Sequence, residues 1–307
     1  MARTKYLNIL KTVAKTAFTV VLVYLVFQKI DLVTVSRTIG RGNPAWFILA
    51  LLLYLFSQGI SSWRLYGLLK KMGLPLQFWF NVRLYLLGMF YNVFLPGGIG
   101  GDGYKLYLLH RKFGTPVKSL LMAFLFDRAS GLWAITILGA IAVFFLPVLG
   151  ITPGWPAAYI IAAALAFYLA WRILLRSYAS YFPKAISRAL VVQSIQCVAM
   201  ACILTGLKAE GNYLPYIFSF LVSTIATVLP VSVGGLGLRE YVMVRLAPIL
   251  FLDEATAVSA SFCFYILSTM AALPGLWFVY RSKEFTSRAE LEKEKEVIDA
   301  GKTTEPV

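Results

Sequence analysis

The sequence predicts an all-α membrane protein that crosses the bilayer several times. Of its 307 residues, 59% are hydrophobic and 14% are charged, whereas about a quarter of a soluble domain is charged. Apolar stretches of about 20 residues, the length that a helix needs to cross a bilayer, recur along most of the chain. The short alternating segments of a membrane β-barrel do not occur in the sequence. The predicted fold class is therefore a polytopic helical bundle.

The apolar segments fall into two groups. Six are predicted to be full spans: 13–30, 44–63, 116–147, 156–175, 186–206 and 255–280. The others form two pairs that are predicted to be broken, re-entrant helical hairpins: 78–95 with 104–110, and 213–230 with 238–252. The predicted membrane domain covers 1–283, and a polar cytoplasmic tail covers 284–307. The three cysteines all lie in apolar segments, so we expect buried thiols without disulfide bonds.

The positions of the basic residues predict the orientation of the chain. If the N-terminus is cytoplasmic, 21 Lys and Arg residues fall in cytoplasmic segments and 3 fall on the opposite side. Cytoplasmic loops of membrane proteins carry an excess of such residues, so both termini are predicted to be cytoplasmic. The net charge of +15 then reflects membrane topology, and no nucleic-acid partner is expected.

Two passages of the sequence repeat one another. Residues 95–107 and 229–241 share the pattern L-P-x-x-x-G-G-x-G-x-(K/R)-x-Y at an offset of 134 residues. Because matching prolines and glycines are not explained by hydrophobic bias, we infer an internal duplication. The charge pattern places the first hairpin on the cytoplasmic side and the second on the opposite side. Together they predict an inverted-topology repeat, whose broken helices meet near the bilayer midplane in many transporters.

The repeated glycines predict a cavity at membrane depth, because irregular backbone is tolerated there only against protein or water. Each motif leads into a helical segment, whose N-terminus carries partial positive charge, and Lys105 and Arg239 each add a cation. This pattern predicts an anion site, with phosphate as its usual ligand. Asp102 and Glu240 are the predicted counter-charges. The alternative is that the glycines permit tight helix crossings and the cations extend to the membrane surface.

A second pair of charges lies inside a predicted span. Arg128 is twelve residues after Pro116, about 18 Å along a helix that crosses a core of about 30 Å. An ionisable residue at this depth usually faces the protein interior and marks a substrate path, although pairing between helices is the alternative. We therefore predict that Arg128 is a cavity cation. Asp127 lies on a different helix face and is predicted to pair with a separate group.

The predicted substrate-binding residues come from the two motifs and from this charged pair. They are Asn92, Gly98, Gly100, Gly101, Asp102, Lys105, Asp127, Arg128, Gly234, Gly235, Gly237, Arg239 and Glu240. No catalytic residue, metal ligand or cofactor is predicted. The only histidine, His110, has no carboxylate or thiol at metal-binding or triad spacing, and the glycine-rich stretch 98–103 lacks the ending and the βαβ context of a nucleotide-binding loop.

Three ordered motifs carry a family resemblance: 92–103, Asp127-Arg128 and 229–240. Together they resemble the flippase-like family, also called the lysylphosphatidylglycerol synthase transmembrane region, over about residues 10–285. In two-part members, this membrane half is joined to a soluble aminoacyl-transferase half, and the resemblance implies that the membrane half moves the lysyl lipid between leaflets. Only 27 residues, most of them polar, follow the last predicted span. We therefore expect the translocating part without the aminoacyl transfer.

These observations favour a lipid translocase over an enzyme. Its expected substrate is a phospholipid or a polyprenyl-phosphate-linked lipid, whose anionic headgroup is bound by Lys105, Arg128 and Arg239. One alternative is a membrane transferase that acts on a lipid-linked donor. The other is a non-transporting partner subunit of a separately encoded lipid synthase. The resemblance favours the bacterial inner membrane as the location.

Overall fold

The computed structural model describes residues 42–95, 100–228, 237–281 and 285. Within these ranges the chain forms ten α-helices and no strand, which confirms the predicted all-α class for the described part. The helices are α1 (Pro44–Lys71), α2 (Phe78–Phe94), α3 (Gly100–Phe113), α4 (Val117–Val143), α5 (Gly154–Leu174), α6 (Phe182–Gly206), α7 (Tyr213–Ala226), α8 (Leu238–Leu246), α9 (Glu254–Ala272) and α10 (Leu276–Tyr280).

Five segments are long and apolar enough to cross a membrane, and they match five of the six predicted spans. They are Pro44–Lys71, Val117–Val143, Gly154–Leu174, Arg176–Gly206 and Glu254–Tyr280. The sixth predicted span, 13–30, lies outside the described residues, as do Gly98, Gly234, Gly235 and all of the tail except Phe285. The protein is a multi-pass membrane protein.

Helix α1 is longer than the sequence pattern indicated. It begins after Asn43, whose side chain accepts a hydrogen bond from the backbone N–H of Ala45, and it ends with Lys70 and Lys71 near the negative end of the helix dipole. The predicted end at residue 63 is therefore wrong. Arg64 interrupts the apolar run, but its side chain is buried and does not end the helix.

Helices α1 and α6 form the most extensive helix pair of the described part. Gln196 of α6 donates a hydrogen bond to the hydroxyl of Ser57 on α1, at 3.3 Å. Just before α6, the Tyr181 hydroxyl donates to the carbonyl of Arg64, at 2.8 Å. Both helices bury several alanine or serine residues, which allow backbones to approach closely where no hydrophobic effect drives helix association.

The two predicted hairpins are present as packed helix pairs. Helix α2 packs on α3, and α7 packs on α8. At the first pair, a Cβ on Gly101 would collide with the carbonyl oxygen of Gly88, so the close approach requires glycine at position 101. The opposite orientation of the two pairs in the membrane stays a prediction.

Two clusters of buried apolar residues flank the middle of α1. The first surrounds α2 and α3 and includes Leu65, Leu68 and Leu69 of α1. The second surrounds α7, α8 and α9 and includes Phe47 and Ala50 of α1. The polar residues in the middle of α1 therefore lie between two hydrophobic cores, each of which holds one of the helix pairs. All three cysteines are free thiols; Cys202 and Cys263 are buried as predicted, whereas Cys197 is partly exposed.

Candidate functional site

A cavity of about 240 Å³ lies where α1, α2, α3 and α4 meet. Its walls combine charged, neutral polar and apolar side chains from all four helices. The lining residues are Tyr54, Gln58, Arg64, Tyr85, Met89, Asn92, Val93, Asp102, Lys105, Asp127 and Arg128. Five residues of the predicted set, Asn92, Asp102, Lys105, Asp127 and Arg128, are thus brought together.

Asp102 is shared by two cations. The Lys105 Nζ atom lies 2.7 Å from its Oδ1 atom, and the Arg128 Nε atom donates to its Oδ2 atom. The first contact is local, because residues three apart lie on the same helix face. The second joins α3 to α4. The two cations differ in exposure: the side chain of Lys105 is 5% exposed, whereas that of Arg128 is 38% exposed.

Lys105 is enclosed by aromatic rings and by a glycine. Its Nζ atom lies 4.9 Å from the ring centroid of Phe124 and 5.2 Å from that of Tyr85, within the range of cation–π attraction. A Cβ on Gly88 would lie 2.7 Å from the Lys105 Cδ atom. Because Gly88 has no side chain, the aliphatic part of Lys105 can pass beside it and reach Asp102.

The start of α3 is attached to α2 by Asn92. The backbone N–H of Gly101 donates to the Asn92 Oδ1 atom at 2.9 Å. This bond satisfies one of the N–H groups that a helix start leaves without a partner. We predicted that Gly100 and Gly101 bind substrate. Neither lines the cavity, and the Gly101 N–H group serves the helix pair, because the two backbones are too close for a ligand to enter between them.

Asp127 pairs with Arg64 of α1, 63 residues earlier in the chain. The Arg64 Nε atom donates to Asp127 Oδ1 at 2.7 Å, and Nη2 donates to Oδ2 at 3.2 Å. Both side chains are largely buried, and this two-bond geometry is the strong form of an arginine–carboxylate pair. Asp127 thus has a partner separate from that of Arg128, as its position on a different helix face indicated.

Arg64 is absent from the predicted set because it was counted among the cytoplasmic loop residues. A usable signal existed in the sequence. A carboxylate at membrane depth needs a cation, and Asp127 had no partner among the predicted site residues. Tyr54 and Gln58 were also missed, although they lie one helical turn apart in an apolar segment. The Tyr85 hydroxyl donates to Gln58 Oε1 at 3.1 Å, so these side chains form a neutral polar wall.

The described residues of the second motif, 237–241, do not line the cavity. Glu240 accepts a hydrogen bond from the Gly237 N–H group at 2.7 Å and another from the Ser261 hydroxyl at 2.9 Å. The Arg239 guanidinium lies over the rings of Phe264, at 5.1 Å, and Phe220. Glu240 was predicted as the counter-charge of Arg239. The two side chains make no direct ion pair in the described part, because consecutive helical residues point in different directions, but the Glu240 carboxylate stabilises the charge of Arg239 at longer range.

Aromatic contacts connect Arg239 to the cavity wall. The ring of Phe264 meets the ring of Tyr54 edge to face, with centroids 5.4 Å apart, and Tyr54 lines the cavity. The Nε atom of Arg239 is buried without a hydrogen-bond partner among the described residues. Arg239 does not line the cavity beside Lys105 and Arg128, but it interacts electrostatically with the lining residue Tyr54.

The described lining of the cavity carries three cations and two carboxylates. All four carboxylate oxygens accept from the protein's own cations, so the remaining net charge of about +1 favours an anion. Within the described ranges, no three His, Cys, Asp or Glu side chains are grouped as metal ligands. A larger groove of about 600 Å³, between α8 and the start of α9, shares no lining residue with this cavity.

One comparison with known proteins identifies the family. The family model described as "Lysylphosphatidylglycerol synthase TM region" matches residues 12–275, a range that includes both glycine motifs and every described lining residue of the cavity. Curated proteins give no significant match to the sequence. Because the matched range covers most of the chain, the protein belongs to the lysylphosphatidylglycerol synthase transmembrane region family.

Proposed function

We propose that the protein is a lipid translocase and not an enzyme, and that its cavity binds the phosphate of a lipid headgroup. The observation that carries this proposal is the placing of Arg64, Lys105 and Arg128 around one small cavity inside a membrane protein. A fixed cluster of cations attracts phosphate most strongly where the surroundings exclude water. The acyl or prenyl chains would stay in the bilayer while the headgroup crosses.

Arg128 is the residue that an entering headgroup would meet first. Of the two cations that pair with Asp102, Arg128 is the more exposed. The bond to Asp102 also fixes the orientation of its planar guanidinium, a group whose geometry matches phosphate. Arg64 and Lys105 lie deeper and would maintain the positive potential without being the first contact. The distribution of basic residues supports cytoplasmic termini, and we place the protein in the bacterial inner membrane.

Lipid exchange in reconstituted vesicles tests the proposal. Purified protein is placed in vesicles that contain phosphatidylglycerol with a fluorescent acyl chain, and a membrane-impermeant quencher reports the label in the outer leaflet. We expect faster exchange than in empty vesicles. Arg128→Ala should lower the protein-dependent rate by roughly tenfold to a hundredfold, because a hydrogen bond to a charged group contributes about 1.5–3 kcal/mol.

The matched control is Arg172→Ala. Arg172 is exposed in the last turn of α5 and does not line the cavity, so this variant should exchange lipid as the unmodified protein does. Equal rates for the protein and for empty vesicles would contradict the translocase proposal. Equal rates for Arg128→Ala and Arg172→Ala would contradict the site. Chemical conversion of the labelled lipid would instead favour the transferase alternative.

A further inference from the structure

We propose that the cavity selects a lipid phosphate with a small, neutral, hydroxyl-rich headgroup and rejects a headgroup that carries an amino-acid ammonium. This inference rests on the proposed function and deepens it, because it names the class of lipid. It differs from what the family description suggests, since lysylphosphatidylglycerol carries additional positive charge. Charge pairing, neutral polar side chains and cavity size support it independently.

Among the described lining residues, each carboxylate already has a cation as its partner. Asp102 accepts from Lys105 and Arg128, and Asp127 accepts from Arg64 through both oxygens. An ammonium would have to displace one of these cations or bind against net positive charge. Like charges that meet in a site of low dielectric repel strongly, so an aminoacyl headgroup is disfavoured.

Arg64 adds a buried positive charge to the cavity wall. The residue is 6% exposed and lines the cavity. Its Nη1 atom is inaccessible and lies beside Gly131, which is not a lining residue. Arg64 would therefore act on a ligand through its charge and not through this donor. That charge attracts a phosphate and repels an ammonium group.

The neutral wall of the cavity suits hydroxyl groups. Gln58 uses its Oε1 atom to accept from Tyr85, and Asn92 uses its Oδ1 atom to accept from Gly101. The remaining polar group of each amide is its NH2 donor. Phenol and amide side chains bind hydroxyl groups without requiring charge. The neutral polar wall of Tyr54, Gln58 and Tyr85, extended by Asn92, therefore matches a polyol beside a phosphate.

The size of the cavity limits the headgroup. A volume of about 240 Å³ lies below the roughly 300–1,000 Å³ of pockets for drug-sized ligands. A phosphate with glycerol or one small sugar would fill this space, whereas an oligosaccharide or a phosphoglycerol extended by lysine would project beyond the lining.

Binding measurements on the purified full chain in mild detergent test the inference without requiring transport. Native mass spectrometry would compare phosphatidylglycerol, lysylphosphatidylglycerol and phosphatidic acid with matched acyl chains. We expect phosphatidylglycerol to bind about tenfold or more tightly than the lysyl lipid, and more tightly than phosphatidic acid, which lacks the polyol. Equal or tighter binding of the lysyl lipid, or no binding of any of the three, would overturn the inference.

A variant pair tests the neutral wall. Gln58→Leu removes the amide and keeps the charge, so the preference for phosphatidylglycerol over phosphatidic acid should fall to about one. Gln77→Leu is the matched control, because Gln77 is exposed before α2 and does not line the cavity; it should keep the preference. An unchanged preference in Gln58→Leu would contradict the assignment of the wall.

Two further measurements distinguish a lipid headgroup from a free polyol phosphate, and the headgroup inference from the translocase proposal. Soluble glycerol phosphate that bound as tightly as phosphatidylglycerol would show that the cavity takes a free polyol phosphate and would overturn the lipid assignment. Phosphatidylglycerol that bound selectively but did not exchange in vesicles would refute the translocase and leave the headgroup inference intact. Exchange of the lysyl lipid at the rate of phosphatidylglycerol would refute the inference and leave the translocase intact.

Discussion

The two copies of the repeated motif fold into similar helix pairs but carry different chemistry. In the first copy, Asp102 precedes the cation Lys105 by three residues, and the two form an ion pair at the cavity. In the second copy, Glu240 directly follows the cation Arg239 and binds the start of its own helix. A carboxylate three positions away shares the cation's helix face, and an adjacent one does not. The spacing of the acid therefore decides which copy pairs its acid directly with its cation.

The glycines of the two copies also differ in their roles. Gly103 lies inside α3, and a Cβ there would meet no atom within 4 Å. Gly237, its counterpart 134 residues later, precedes α8 with a φ of 85°, a region that favours glycine. Helix α8 thus begins four motif positions later than α3. A shared glycine pattern does not require a shared local conformation.

The largest expected effect is a difference in stability loss when the acid of each copy, Asp102 or Glu240, is replaced by alanine. Asp102→Ala leaves the buried Lys105 without its carboxylate, and removing one partner of a buried pair costs about 3–5 kcal/mol. Glu240→Ala removes two hydrogen bonds and should cost about 1–3 kcal/mol. Melting temperatures in detergent, followed by intrinsic fluorescence, measure both changes. Equal losses of stability would show that the Asp102–Lys105 ion pair contributes no more than the hydrogen bonds of Glu240.

The next effect is a difference between Lys105 and Arg239 in their contribution to lipid binding. Lys105→Met should weaken phosphatidylglycerol binding by roughly tenfold or more, because a cavity cation is lost. Arg239→Met should change binding by less than about threefold, because Arg239 does not line the cavity. Titration of each variant in detergent provides the measurement. Similar losses in both variants would indicate that the second motif reaches the ligand.

A smaller effect concerns backbone packing in the first copy. Gly101→Ala forces α2 and α3 apart, because the added Cβ meets the Gly88 carbonyl oxygen, and overpacking typically costs about 1–3 kcal/mol. Gly103→Ala, on the same helix, is the matched control and should stabilise the protein by about 0.5–1 kcal/mol, since alanine favours helix. Melting temperatures of both variants would reveal the difference. Destabilisation of equal size would contradict the close approach at Gly101.

The smallest effect concerns Asp253, which lies outside the membrane spans and caps α9. The Thr256 hydroxyl, and then backbone N–H groups of Thr256 and Ala255, hold the pKa of Asp253 below its ordinary value. The cap therefore stabilises the protein fully above the ordinary pKa of about 3.9 and loses this effect as the pH falls through the lowered pKa. Asp253→Ala should cost about 1 kcal/mol near neutral pH.

Asp253→Asn provides the control, because asparagine also caps helices and does not titrate in this range. The melting temperature of the unmodified protein should approach that of Asp253→Ala as the pH is lowered below about 4. The melting temperature of Asp253→Asn should stay above that of Asp253→Ala throughout. A constant difference between the unmodified protein and Asp253→Ala at every pH would contradict the titration of this cap.

Tertiary packing also gives different environments to the two Gly-Leu-Trp segments at 131–133 and 275–277. A Cβ on Gly131 would lie 3.9 Å from the Arg64 Nη2 atom and from the Gln193 Nε2 atom, whereas one on Gly275 would collide with the Leu86 carbonyl of α2. The first glycine lies beside the buried ion pair, and the second permits a helix crossing. The repeated Gly-Leu-Trp sequence alone could not predict that its two glycines have different environments.

The sequence by itself determined the all-α membrane class, the five described spans and the local pairing of Asp102 with Lys105. These features follow from apolar segment length and from helical spacing, which act within about one segment. Only the tertiary structure decided that Arg64 pairs with Asp127, that Gly101 serves a backbone contact, and that Arg239 does not line the cavity. Each of these depends on how closely two distant helices approach, and that distance is set by side-chain packing, which periodicity does not contain.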